Sequence, residues 1–393
     1  MKWEKVEIGK VSKVISGYAF KSKDFQTLGI PIIKIKSIKD ENIVLDESDC
    51  VDSAIEVPIK FHLSKGDILI SLTGSHITLP SSVVGRVAKY RHETNSYLNQ
   101  RAGKFINIDN ERCHKDYLFY FLLQKETLTK IANKAQGAAN QANISPGDVE
   151  SVEINLPPLP TQRRIASILS AYDDLIENNL KRIKLLEEKA FLHYIQYKPI
   201  EKIALQDIAD YLGRGVTPKY EEGSGFYAIN QKANKGSLLE YSQFKSLDSK
   251  LEVPKDKFAK WGDLLINSLG EGTLGRVHFY TDKSDLFAVD QHMSIFRTNK
   301  QHYTFFLYQF LSSNYGQGLL DSLKKGGTNM TMLNISDLRQ LIVSVPSEKD
   351  LIELWNICKP LFQLKQILIS QNTKLREARD ILLPKLMSGQ IEV

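Results

Sequence analysis

Gly66-Asp67-Ile68-Leu69-Ile70-Ser71 and Gly262-Asp263-Leu264-Leu265-Ile266-Asn267 are one phrase written twice. In each, the segment reads as a strand. Outward from these, Gly85-Arg86-Val87-Ala88-Lys89-Tyr90 returns as Gly275-Arg276-Val277-His278-Phe279-Tyr280, and Asn143-Ile144-Ser145 as Asn334-Ile335-Ser336. The separations lie near ~190 residues, half of the 393-residue chain, which is a tandem duplication of one large unit and far too long a period for a solenoid. Two such units imply pseudo-two-fold symmetry and a task that needs two related surfaces.

Each half is long enough to bury a core of its own. A hydrophobic content of 42% and a charged content of 25% are those of a soluble globular protein. Cys50, Cys113 and Cys358 are scattered without CxxC or metal spacing, which suits a reducing cytosol. The start, Met1-Lys2-Trp3-Glu4-Lys5, has no apolar signal core, and no run approaches membrane-spanning length, so the expected location is cytoplasmic. A net charge of +6 permits a polyanionic partner without demanding one.

Both halves have the same order: a β-rich stretch with a few helices, a proline joint, and a long amphipathic helix. Strands are expected at 31–36 and 66–71 in the first half, and at 226–231, 263–269 and 275–280 in the second. Shorter helices are expected at 117–135 and 303–323. Leu156-Pro157-Pro158-Leu159-Pro160 is a stiff extended joint before a helix over 161–197, stopped by Pro199. Val345-Pro346 is the second joint, and Ser347-Glu348-Lys349-Asp350 fits a capping box opening a helix to about residue 383, which Pro384 should end or kink.

The long helices carry the sharpest pattern. Leu169, Tyr172, Ile176, Asn179, Ile183, Leu186 and Ala190 alternate at spacings of three and four, as do Leu361, Leu364, Leu368, Gln371, Leu375, Ala378 and Leu382, each 192 positions on. That is a coiled-coil seam, although packing of each helix on its own domain core would give a similar stripe. Antiparallel pairing is expected, with Asn179 facing Gln371, Tyr172 by Ala378 and Ala190 by Leu361. A lone amide in an apolar seam needs a partner, and such residues set register.

Catalytic chemistry has little to stand on. Gly270-Glu271-Gly272-Thr273-Leu274-Gly275 satisfies G-x-G-x-x-G, but a dinucleotide or methyl-donor site needs a helix next, and Arg276-Val277-His278-Phe279-Tyr280 reads as a strand. Arg276 and Val277 stand where a phosphate-binding loop requires Lys and Ser or Thr. The histidines show no metal-ligand spacing, so no metal is expected, and the pairs Asp173-Asp174 and Glu187-Glu188 read as solvated helix faces.

The residue types that read nucleic acid are present in matched places. Lys21 lies upstream of Lys34 and Lys36, which share one face of the expected strand. Asn230-Gln231-Lys232 ends a strand with two side chains able to bond adenine bidentately and one that seeks phosphate. Arg101 after Asn99-Gln100 matches Gln291 and His292 after Asp290. Thr73 and Ser75 open a polar loop, and the flexible loops holding Gly137 and Asn140, and Gly327, Thr328 and Asn329, precede the recurrent Asn-Ile-Ser. Each residue singly could belong to an ordinary solvated loop.

The carrying segments Gly17-Tyr18-Ala19-Phe20-Lys21-Ser22-Lys23-Asp24-Phe25, Leu156-Pro157-Pro158-Leu159-Pro160-Thr161-Gln162-Arg163-Arg164-Ile165, Gly215-Val216-Thr217-Pro218-Lys219-Tyr220 and Leu382-Leu383-Pro384-Lys385-Leu386-Met387-Ser388-Gly389-Gln390-Ile391 resemble, over the whole chain, the specificity (S) subunit of type I restriction–modification enzymes. The resemblance implies an α+β fold of two similar globular target-recognition domains joined by two long antiparallel coiled-coil helices. The domains would be 1–157 and 199–345, and the spacer helices 158–198 and 346–393. It implies a non-catalytic reader of a bipartite, asymmetric double-stranded DNA site, one domain per half-site. Two modification (methyltransferase) subunits would dock on it, with restriction (translocase/nuclease) subunits where the system has them. No cofactor is expected in this chain; S-adenosylmethionine and ATP would sit on the partner subunits. Two rivals stay open at this level: a self-contained DNA-modifying enzyme, and a scaffold whose domains bind protein.

Overall fold

A computed structural model describes residues 3–39, 41–45, 49–75, 84–138, 141–270, 272–282, 286–325 and 331–393. The chain forms two compact units, Met1–Ile176 with Lys374–Val393, and Glu177–Thr373. Each unit therefore holds part of both long helices.

The repeated phrases are neighbouring strands. Ile68–Ser71 pairs antiparallel with Val87–Lys89, and Leu264–Asn267 with Val277–Phe279. Both pairs close identically at each end. Gly66 and Gly262, each at φ +90°, donate to the carbonyls of Tyr90 and Tyr280 at 2.7 and 2.8 Å. At the other end Gly85 and Gly275, at φ +80° and +85°, donate to Ser71 and Asn267, both at 2.8 Å. Both ends of each pair thus demand a left-handed backbone, which glycine adopts without a Cβ penalty.

In the first unit these strands lie in a sheet ordered Lys13–Ser16, Ala102–Ile106, Ile68–Ser71, Val87–Lys89, Asn42–Ile43, Ile38–Lys39. The second unit repeats its first four as Tyr211–Arg214, Met293–Arg297, Leu264–Asn267, Val277–Phe279. Ile68–Ser71 and Leu264–Asn267 are buried at every position, which explains their unbroken apolar runs. A second sheet in each unit contains one parallel pair, Ile30–Ile33 with Ser96–Leu98 and Tyr227–Ile229 with Phe287–Val289. Ribbons Glu4–Glu7 with Glu153–Leu156, and Glu201–Ala204 with Ile342–Val345, lead into the long helices.

Several expectations need correction. The strand at 31–36 ends at Ile33, because Ile35–Ser37 turns into a 3-10 helix. Each intermediate helix is broken in two. Lys115–Leu123 and Lys125–Ala132 meet at an extended Gln124, and Gln301–Ser312 and Asn314–Ser322 meet at an extended Ser313 whose hydroxyl accepts from the Gly316 amide. Proline marks the long helices less sharply than expected. They run Leu159–Tyr194 and Glu348–Met387, with Pro160, Pro360 and Pro384 inside. The second persists past Pro384 because Leu383, Leu386 and Met387 are buried in the first unit's core with Ile165, Ala166 and Leu169. The Ser347 cap is as expected, its hydroxyl accepting from the Asp350 amide at 3.2 Å.

The helices pair antiparallel. In the second unit Asn179, Glu187 and Ala190 meet Asn372, Lys365 and Cys358; in the first, Asp173 meets Arg379. Leu169, Ile176, Asn179, Ile183 and Ala190 are buried as expected. On the second helix the expected stripe is misplaced. Gln371 and Leu364 are exposed, and Phe362, Lys365, Leu368, Asn372 and Arg379 form the buried line. Asn179 therefore donates to Asn372, at 2.9 Å, and not to Gln371.

The cause is the repeat register. Leu156 and Val345 close equivalent strands, and Pro158 and Ser347 accept the first helical bonds from Gln162 and Leu351, so equivalent positions differ by 189. Every buried residue of the first helix, from Gln162 to Ala190, has a buried counterpart 189 positions on. A separation of 192 is nearly one helical turn away and lands on neighbouring apolar residues. The match of Asn143-Ile144-Ser145 with Asn334-Ile335-Ser336 fails for the same reason: Ser145 and Asn334 are the equivalent caps.

Candidate nucleic-acid interface

One end of each unit gathers the loops that carry the nucleic-acid residue types. Gly17 packs so closely on the strand after Leu98 that a Cβ would stand 2.3 Å from the Asn99 carbonyl oxygen; at Gly215 it would stand 2.0 Å from that of Val289. Tyr18 and Val216 then accept from Gln100 and Gln291, while Asn99 and Asp290 donate to Ile33 and Ile229. The loops at 33–36 and 99–101 are thereby joined in the first unit, as are those at 229–232 and 290–292 in the second. Arg101 and His292 accept, through their carbonyls, from Leu72 and Ser268, which brings in the segments at 73–75 and 269–270.

This frame makes Lys34, Lys36 and Arg101 the counterparts of Asn230, Lys232 and His292, so similar backbones present different chemistry. Arg101, Lys21 and Lys232 are exposed. Lys34 and Lys36 both face the buried Asp49, each at 2.8 Å, and Lys34 also lies 3.7 Å from the Phe25 ring centroid. One carboxylate offsets half of that loop's positive charge. His292 meets the fully buried Asp290 at 2.7 Å, and Asp290 also accepts from Tyr220 at 2.6 Å. Burial, with Asp290 beside it, holds the Tyr220 hydroxyl well above its usual pKa, so it stays a hydrogen-bond donor. Gln291 accepts from Thr217 at 2.9 Å.

Three of the residues expected to touch DNA have a place in the frame itself. Asn230 is buried, donates to the Gln243 carbonyl at 2.5 Å, and accepts from the amides of Lys232 and Ala233 at 2.8 and 3.2 Å. Both ends of its amide serve the turn that stops the strand. Thr73 is buried and donates to Asn143 at 2.9 Å. Gly137, at φ +119°, lies in the ribbon Gln136–Ala138 with Gln141–Asn143, where a loop was expected. Ser75 is half-buried, and the Gln231 side-chain oxygen is buried without a hydrogen-bond partner among the described residues. Asn140, Gly327, Thr328 and Asn329 lie outside the described residues.

Sequence reading missed Asp49 and Arg214. Asp49 comes from a strand edge with no signal of its own linking it to the lysines. Arg214 directly precedes Gly215; one guanidinium nitrogen donates to the Leu333 carbonyl, another is buried without a partner among the described residues, and burial lowers its pKa. The stretch from Gly270 runs, as expected, into a strand at Val277–Phe279 and not into a helix.

A duplicated α+β frame with divergent loops at matching ends, built around two long antiparallel helices, defines a protein with two related recognition domains. Residues 1–188 match the family model described as the type I restriction modification DNA specificity domain. The chain is 28% identical to the type I restriction enzyme MjaIX specificity subunit of Methanocaldococcus jannaschii, over 71% of this chain and 69% of that protein. It is 24% identical to the putative MjaX specificity subunit of the same organism, over 100% of this chain and 94% of that one. A crystal structure of a type I restriction–modification S subunit from M. genitalium shares the fold with a TM-score of 0.54, covering 98% of this chain and 96% of that one at 16% identity. Residues 1–188 thus match this domain, and the chain as a whole is similar to specificity subunits of type I restriction–modification systems. Its role is DNA recognition, and no helix among the described residues is long and apolar enough to cross a membrane.

Proposed function

We propose that this chain reads a split, asymmetric DNA site, with one unit on each half-site and the paired helices setting the gap between them. The observation that carries the reading is the duplicated loop frame with unlike occupants, the exposed Arg101 against His292. One frame with two chemistries favours two different half-sites. Lys21, Arg101 and Lys232 would contact phosphate, giving salt-dependent affinity, while Gln231, Gln291 and His292 would face base edges.

Adenine methylation would belong to two modification subunits docked on this chain, carrying S-adenosylmethionine. ATP-driven translocation and cleavage would belong to restriction subunits where the system includes them. A genome-wide map of N6-methyladenine in a host with and without the gene tests the reading. Loss of one bipartite, non-palindromic motif on deletion is the expected result. An unchanged map in a host that expresses the modification subunit would reject it.

A further inference from the structure

Among the buried contacts between the first long helix and the second are three made by charged or amide side chains on both helices, and the repeat reproduces none of these three. In the first unit Asp173 accepts from Arg379 at 2.7 Å, from Arg91 at 3.0 Å and from Tyr120 at 2.7 Å. Arg379 is also held by Glu41 and Asp380. In the second unit Asn179 donates to Asn372 at 2.9 Å, and the Lys365 ammonium lies 2.6 Å from both Glu187 and the Ser237 carbonyl. Asp173, Arg379, Asn179, Asn372 and Lys365 are each at most 7% exposed. A buried charge or amide that loses its partner is strongly destabilising, whereas an apolar pair of the same shape is not.

The 189-residue equivalence states what would stand opposite each group if two like halves paired. A second copy of the first half would present Ala190, Ile183 and Ile176 where Arg379, Asn372 and Lys365 now stand. Asp173, Asn179 and Glu187 would each lose their partner on the second helix. A second copy of the second half would present Phe362, Leu368 and Arg376 in place of Asp173, Asn179 and Glu187. Arg379 would face an aromatic ring and lose Glu41, the Asn372 amide would face leucine, and Lys365 would face another cation.

We propose that these contacts make the pairing of the halves selective: the helix of the first half accepts that of the second and rejects a second copy of itself. Apolar residues of the interface give affinity without discrimination, and the polar contacts supply the discrimination, as interhelical charges and polar seam residues do elsewhere. The selectivity does not depend on the DNA reading above. Its consequence does: every particle carries two unlike readers, and a palindromic site made by two like halves is excluded.

The test uses the full chain with a protease site inserted between the exposed Lys198 and Pro199. The protein is folded intact, purified and cleaved. Two batches with different mass tags on the first half are mixed, exchanged in urea and renatured, and their composition is read by native mass spectrometry. Unlike pairs alone are expected, and like pairs should appear once Asn179, Asn372, Asp173, Arg379, Glu187 and Lys365 are all replaced by Leu. Like pairs at a random share in the unsubstituted protein would overturn the proposal, as would unchanged exclusivity in the substituted one. If the cleaved halves do not rejoin, the intact chain decides through the cycle Asn179→Leu, Asn372→Leu and both. A coupling of about tenfold or more in the folding equilibrium is expected, and additive effects would overturn the proposal.

Discussion

At the scale of single residues, position 230 shows how little a side chain's type says about its task. An asparagine after a strand, beside Gln231 and Lys232, has the chemistry to read adenine, yet its amide closes the turn on three backbone groups. Asn230→Ala should therefore lower stability by about 1–3 kcal/mol, because buried backbone groups lose their partner. The preference at the second half-site should stay the same. Urea unfolding and the methylation motif of the variant check both; a changed motif at full stability would return Asn230 to the reading set. His278 is a second case. Burial, with Lys365 nearby, pushes its pKa down to about 3 against the pull of the Gly236 carbonyl. The unfolded chain binds a proton there near pH 6.5 and the folded chain does not, so stability is lost as pH falls from about 6.5 toward 3. The expected contribution is a loss of about 2 kcal/mol between pH 7 and pH 5. A His278→Leu variant, whatever its absolute stability, should lack that part of the slope in urea midpoints measured across this range.

At the scale of elements, the second long helix separates what pattern can reveal from what it cannot. Gln371 and Asn372 are adjacent, and one residue of rotation, about 100°, puts the first in solvent and the second against Asn179. Gln371→Leu should change stability by less than about 0.5 kcal/mol, as surface substitutions do. Asn372→Leu should cost about 1–3 kcal/mol by stranding the Asn179 amide. Equal urea midpoints for the two variants would refute the observed register. The helices, their antiparallel sense and the central strands were legible because apolar periodicity and its repetition along the chain report local geometry directly. The phase of the second stripe was not. Leu361, Leu364 and Leu375 make a stripe as regular as the true line, with which it shares Leu368, and the residues that break the tie, Lys365 and Arg379, are charged. Their burial depends on Glu187, Asp173 and Glu41, which are remote in sequence. The same limit hid Asp49, whose link to Lys34 and Lys36 exists only after folding.

At the scale of the molecule, the division between units falls between Ile176 and Glu177 on one helix and between Thr373 and Lys374 on the other. The Asp173–Arg379 contact lies on one side of both breaks, and Asn179–Asn372 and Glu187–Lys365 lie on the other. Seven residues of helical, coiled-coil character inserted at both points would therefore leave each of these three polar contacts inside its own unit. Seven residues are close to two turns and rotate the faces by only about 20°. They add roughly 10 Å of helix, the length of about three base pairs of B-DNA. If the helices set the gap, the methylated motif should lengthen by up to about three unspecified base pairs, with both half-sites unchanged. The same insertion in one helix alone would offset Asp173 from Arg379 against Asn179 from Asn372, and that chain should lose stability by several kcal/mol through its stranded buried charges. A doubled insertion that alters a half-site sequence would break the assignment of reading to the loops. One that leaves the gap unchanged would break the assignment of spacing to the helices.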